Sequence, residues 1–167
     1  MSYAYDANRT VRIDRSNLDA PKPGDSDKDL FITVFTDGSF CHDTKAYGYA
    51  VWICDGQKPI HMFGDGGVGA NDSGQVETFG LNAAKKYILE NCDVADRVIV
   101  IQCDNIGSLN QMDIKPFKKR GAKFIKKKHV KGHTSHKTNR SKVNSLVDEM
   151  AGKHMREHRA KARNSNG

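Results

Sequence analysis

Between Asp113 and Asp148 the sequence has no acidic residue at all, although that stretch holds twelve Lys and Arg. It also lacks long hydrophobic runs: Val98-Ile-Val-Ile101 is typical of the longest, which excludes a helix that crosses a membrane. The opening MSYAYDANRT has no apolar signal core, so secretion by that route is not expected and a cytoplasmic location is. The cysteines stand at 41, 54, 92 and 103, with no CxxC pair and no Cys–His spacing suited to zinc. A disulfide scaffold and a zinc module are thereby set aside, and Cys103, in an apolar run, is expected to be a small buried hydrophobe. Leu, Ile, Val and Phe are scarce at the ends: Val11, Ile13 and Leu18 alone precede Leu30, and none follows Val147. A core can therefore be built only between about Leu30 and Met155, enough for one domain in a chain of 167 residues.

What is present is charge, unevenly spread. The net charge is +7, yet residues 1–113 carry 10 basic and 17 acidic groups. The positive charge comes from the run Lys115, Lys118, Lys119, Arg120, Lys123, Lys126, Lys127, Lys128, Lys131, Lys137, Arg140 and Lys142. An acidic half joined to such a run suits a polyanion, with a phosphate backbone as the leading partner. A solvated lysine face has the same composition, so charge alone does not decide.

Residues 1–29 are polar and read as a flexible leader, and 159–167 as a basic disordered tail, leaving 30–158 as the folded unit. Leu30–Thr36 is apolar on both faces, hence a central strand, ended by Asp37-Gly38-Ser39. Tyr47–Ile53 and a strand near Ile60–Phe63 are joined through Asp55-Gly56 as a hairpin, and Gly64–Gly74 reads as a loop. Val76–Leu89 has helical spacing, Arg97–Cys103 is a second buried strand, Asn105–Met112 a short helix and Lys123–Val130 a basic strand. Val143, Leu146, Val147, Met150, Ala151, His154 and Met155 mark a last helix. This order predicts an α/β fold: a mixed five-stranded sheet, an antiparallel three-strand meander followed by parallel strands, flanked by helices.

Four acids occupy unusual places. Asp37 and Asp104 each follow an apolar strand, Glu77 lies in the expected first turn of a helix, and Asp148 borders the apolar stripe of the last one. Adjacent parallel strands would bring Asp37 and Asp104 out at one sheet edge. Four carboxylates meeting there would repel unless cations bridged them, and such hard oxygen donors suit Mg²⁺ or Mn²⁺. Taken singly each has an ordinary explanation, a turn for Asp37-Gly38 or a helix N-terminus for Glu77.

Taken in order, Thr36-Asp37-Gly38-Ser39, Glu77, Cys103-Asp104-Asn105, Val130-Lys-Gly-His133 and Asn144-Ser-Leu-Val-Asp148-Glu-Met-Ala151 resemble the successive signatures of type 1 ribonuclease H, from about Leu30 to Arg156. The resemblance implies that Asp37, Glu77, Asp104 and Asp148 bind two Mg²⁺ ions. It also implies that His133 assists water activation or product release, and that the backbone around Gly38, Ser39 and Phe40 reads the 2′-hydroxyl of RNA. The partner it implies is an RNA–DNA hybrid, bound by a monomer. Asn144 and the lysines Lys126, Lys127 and Lys128 join the expected nucleic-acid contacts. Where the family has Asn or Gln before its helix-opening Glu, this chain has Asp72-Ser73-Gly74-Gln75-Val76, leaving Ser73 and Gln75 as substitutes. Asp104 and His133 are too close in sequence for the extra helix and basic handle of some bacterial members, so Lys115–Lys128 is expected to supply that charge. The loop from His133 to Asn144 is longer than usual, and Ser145 stands where a glutamate is common.

The activity so implied is a Mg²⁺-dependent endonuclease that hydrolyses the RNA strand of RNA–DNA hybrids by a two-metal mechanism. A second enzyme reading keeps the fold and changes the substrate, as in resolvases and exonucleases. A third is an inactive nucleic-acid-binding module, against which four intact acids count, since negative charge beside phosphate does not help a pure binder.

Overall fold

A computed structural model of the chain describes residues 30–56, 58–130 and 139–166, with the side chains of the last helix described from Lys142 to Ser165. The elements run β1 (Phe31–Phe40), β2 (Ala46–Asp55), β3 (His61–Val68), α1 (Ser73–Asn91), β4 (Val98–Cys103), α2 (Ile106–Gln111), α3 (Lys115–Lys119), β5 (Phe124–His129) and α4 (Asn139–Asn166). They form one five-stranded sheet in the order β3-β2-β1-β4-β5. β1, β2 and β3 pair antiparallel, while β4 and β5 run parallel to β1. The expected mixed sheet is thus the observed one.

Strand alternation divides the core into two layers. Ile32, Val34, Val51, Ile53, Ile99 and Ile101 face α1 and pack with its Leu81, Ala84 and Ile88. Phe35, Ala50 and Trp52 face the other way, against Val143, Val147, Met150 and Ala151 of α4. The helix lies so close that a Cβ on Gly48 would collide with the Ala151 carbonyl and the Met155 amide. That close approach explains why glycine recurs in β2 and β3. It also corrects the expected loop: Gly64–Val68 continues β3, because Gly64 and Gly66 lie under His154 and His158.

Other boundaries move for local reasons. β1 does not stop at Asp37. It runs to Phe40, with Asp37 opposite Ala50 and Ser39 opposite Gly48. α1 begins at Ser73, three residues before the expected start, because Asp72 caps it by accepting from the Gln75 amide at 2.8 Å. α3, which sequence pattern did not reveal, starts at Lys115 with Pro116 in its first turn and buries Phe117. α4 persists to Asn166 through the stretch expected to be a disordered tail. Ala, Arg and Lys dominate there and neither Gly nor Pro interrupts them before Gly167. The leader 1–29 lies outside the described residues. Among those described, no helix is long and apolar enough to cross a membrane. At the sheet end opposite Asp37, Arg97 pairs with buried Asp55 at 2.7 Å and donates to the Phe31 and Asp93 carbonyls.

Candidate active site

The ladder between β1 and β4 ends at the pair Phe35–Gln102. Asp37 and Asp104 each lie two residues beyond it, so the two carboxylates leave adjacent parallel strands at one level. β5 fixes the second of them. His129 Nε2 lies 2.9 Å from the Asp104 carbonyl, and the Val130 amide donates to the Cys103 carbonyl. Glu77 comes in from α1. Because Ser73 opens that helix, Glu77 lies beyond its first turn, so the helix dipole does not account for an acid there. It is buried, only 6% exposed, and its Oε2 accepts from the Gly38 amide at 3.1 Å. Gly38 permits this approach: a Cβ there would stand 2.9 Å from Val76 Cγ1 and 3.1 Å from Glu77 Oε2. Asp148, exposed on α4, lies near enough to Asp37 to help raise its carboxyl.

Electrostatics registers the crowding. The Glu77 carboxyl is pushed up to about 9, first by burial and then by the charges of Asp104 and Asp37, against the hydrogen bonds from Cys103 and Gly38. The Asp37 carboxyl is pushed up to about 8 by burial and by Asp104 and Asp148, with the Gly38 amide opposing. Such a set keeps protons unless an external positive charge displaces them. Ligand atoms of Glu77, Cys103 and Asp104 all lie within 4.8 Å of one another. Carboxylate oxygens dominate the set, and that chemistry fits a hard divalent cation better than zinc. Glu77 and Asp104 are the carboxylates of that group; Asp37 and Asp148 fall outside it.

No family model matches the chain, and no curated protein does. Solved structures do. The N-terminal RNase H domain of a Mycobacterium tuberculosis protein, solved as a fusion with maltose binding protein, aligns with a TM-score of 0.58 at 12% identity, covering 80% of this chain and 99% of that one. LC11-RNase H1 in complex with RNA/DNA hybrid aligns at 0.55 and 14% identity, covering 75% and 97%. RNase H1 from the archaeon Halobacterium salinarum aligns at 0.53 and 15%, covering 76% and 98%. The chain has the ribonuclease H fold. Within this ribonuclease H fold, the residues expected to meet nucleic acid are distributed unevenly. Gly38, Ser39 and Phe40 form the last three positions of β1, half-buried beside the acids. Ser73 opens α1, exposed, and the Gln75 side-chain oxygen accepts from the Asn71 amide at 2.7 Å, so that end of Gln75 serves the cap. Asn144 is half-buried on α4, one turn before Asp148. His133 lies outside the described residues.

The three lysines of β5 do not share one side of the strand. Lys127 shares its side of the strand with Ile125, which packs on the α1 layer. Its ammonium donates to the Met112 carbonyl at 2.7 Å and toward that of Asn110 at 3.4 Å, closing the C-terminus of α2. Lys126 and Lys128 lie on the opposite side with Phe124. Cys103 is the residue whose part the sequence concealed. It is fully buried as expected, yet its thiol is bonded to Glu77 Oε1 at 3.5 Å. Strand alternation, which turns Cys103 toward α1 while Asp104 leaves the strand, was the available signal.

Proposed function

We propose that the protein is a Mg²⁺-dependent endonuclease that cuts the RNA strand of RNA–DNA hybrids. What supports this reading is that Asp37 and Asp104 leave adjacent parallel strands of a ribonuclease H fold beside buried Glu77, with Asp148 near enough to raise the Asp37 carboxyl. The neighbour solved with an RNA/DNA hybrid supports the choice of substrate. Two divalent cations, Mg²⁺ or Mn²⁺, would supply the chemistry that a phosphodiester needs, lowering the pKa of the attacking water and stabilising the departing oxygen.

The chain's own groups do the rest. Gly38, donating to Glu77 from the β1 backbone, holds that carboxylate toward Asp104 and Asp37 before substrate arrives. The β1 end at Gly38–Phe40 offers backbone groups next to the acids, where a ribose 2′-hydroxyl distinguishes RNA from DNA. Lys126 and Lys128 offer positive charge to the phosphates, and Ser73 and Asn144 flank the acids from α1 and α4. On the resemblance, His133 assists water activation or product release. Recognition is by shape, and cleavage leaves 5′-phosphate and 3′-hydroxyl ends.

A gel assay on end-labelled hybrid, duplex RNA and duplex DNA, with Mg²⁺ or with chelator, tests the proposal. The expected result is internal cleavage of the hybrid's RNA strand alone, abolished by chelator. Equal cutting of duplex DNA would move the assignment to another nuclease built on this fold. Binding without cutting in either metal would make the chain a nucleic-acid-binding module.

A further inference from the structure

Glu77 is held by two donors, one on each oxygen. Oε2 takes the Gly38 amide at 3.1 Å, shared with Asp37 Oδ1 at 2.8 Å, and Oε1 the Cys103 thiol at 3.5 Å. Each oxygen keeps a lone pair for another partner. The two donors come from neighbouring strands, Gly38 from β1 and Cys103 from the end of β4, so they fix the rotation of the carboxylate as well as its position. The sulfur is itself anchored, because the Asn105 amide donates to Sγ at 3.4 Å, and the Cys103 residue is 0% exposed. That amide occupies an acceptor position of the sulfur, and of the two acceptors facing the S–H, Glu77 Oε1 at 3.5 Å is nearer than the Asn105 carbonyl at 4.0 Å. Cys103 is also bonded through the backbone to Asp104, so one residue ties together two of the four acids.

We infer that Cys103 is a positioning residue for the cation site, orienting the Glu77 carboxylate through its S–H while the next residue in the chain supplies the second ligand. This inference rests on the reading of the four acids as a divalent-cation site. Its thermodynamic consequence is specific. A carboxylate already turned toward the cation loses less freedom when the ion binds, so removing the donor weakens ion binding even where the fold is intact. An inert buried thiol would contribute volume only, and an apolar side chain of similar size would replace it without effect.

Cys103→Val keeps approximate volume and strand preference while removing the donor, and Cys103→Ser keeps a donor in a smaller side chain. Mn²⁺ binding to the nucleic-acid-free protein, followed by the electron paramagnetic resonance of the free ion, reads the effect without any cleavage assay. Cys103→Val should bind Mn²⁺ at least about tenfold more weakly than wild type, the lower end for loss of a group that orients a metal ligand. Cys103→Ser should stay within about twofold of wild type, since a hydroxyl is the better donor. Cys103→Ala gives the same comparison should the valine variant not fold. Wild-type affinity in the donor-less variant, or equal weakening in Val and Ser, overturns the inference. Asp104→Asn in the same titration separates the two levels. If it also binds Mn²⁺ as wild type does, the cation site itself is refuted; if it alone loses binding, only the role of Cys103 is.

Discussion

At the scale of single residues, the site is defined by what its acids cost one another. The Asp37 and Glu77 carboxyls titrate near 8 and 9 in the folded protein, whereas carboxyls of an unfolded chain titrate near 4. Between those limits the folded state binds more protons than the unfolded one, so stability falls as pH rises. The ion-free protein should therefore melt at progressively lower temperature from about pH 5 to about pH 9, and saturating Mg²⁺ should remove most of that fall. Asp37→Asn should flatten the ion-free profile and raise the midpoint at pH 8. A midpoint that holds level or climbs across this window in chelator, with Asp37→Asn identical, would contradict the crowding. The nearness of Asp37 to Asp104 was legible in the sequence because each sits just past an apolar run. Gly38 and Cys103 were not. A backbone amide leaves no residue-type signal, and a cysteine inside Val-Ile-Val-Ile-Gln-Cys looks like packing until its face of the strand is known.

At the scale of elements, the strands were legible to within their ends and the ends carried the chemistry. Asp37-Gly38 read as a strand stop because Asp-Gly usually turns the chain. Here β2 keeps pairing through Phe40–Tyr47, and the extended arm is what delivers the Gly38 amide to Glu77. The start of α1 was set by the Asp72 cap and not by its apolar stripe, which begins at Val76, so the pattern placed Glu77 a turn too early. The basic strand β5 shows the same limit of composition, since alternation puts Lys127 on one side of the strand and Lys126 and Lys128 on the other. Lys126→Gln combined with Lys128→Gln should weaken hybrid binding and lower the salt slope by about 0.7–0.9 for each phosphate no longer neutralised. Lys127→Gln should leave the slope alone and lower the melting midpoint, because the Met112 carbonyl at the end of α2 loses its donor. A slope equally reduced by Lys127→Gln would mean that all three meet phosphate.

At the scale of the whole molecule, the sheet separates stability from the site. The Asp55–Arg97 pair and the fully buried Val98 and Ile32 secure one end of the strands, while the acids gather at the other. Two apolar layers pack against the two faces of the sheet between them. Alternating patterns and the change from meander to crossovers made this architecture readable, because burial dictates periodicity over many residues at once. The run without acidic residues was equally plain as charge and opaque as structure. Part of it became α3, part the edge strand β5.

The central claim is that the four carboxylates make a cation site that breaks RNA in a hybrid, and Asp104→Asn tests it most directly. The substitution keeps size and one acceptor oxygen while removing the charge that would hold Mg²⁺. Cleavage of labelled hybrid in Mg²⁺ should fall at least about a hundredfold, roughly 3 kcal/mol of transition-state stabilisation. Hybrid affinity in Ca²⁺ should stay within a few-fold of wild type, since a negative charge near phosphate is removed and none is added. Wild-type turnover in Asp104→Asn would contradict the account, because it would take Asp104 out of the site and leave Asp37 and Glu77 without the neighbour that raises them both.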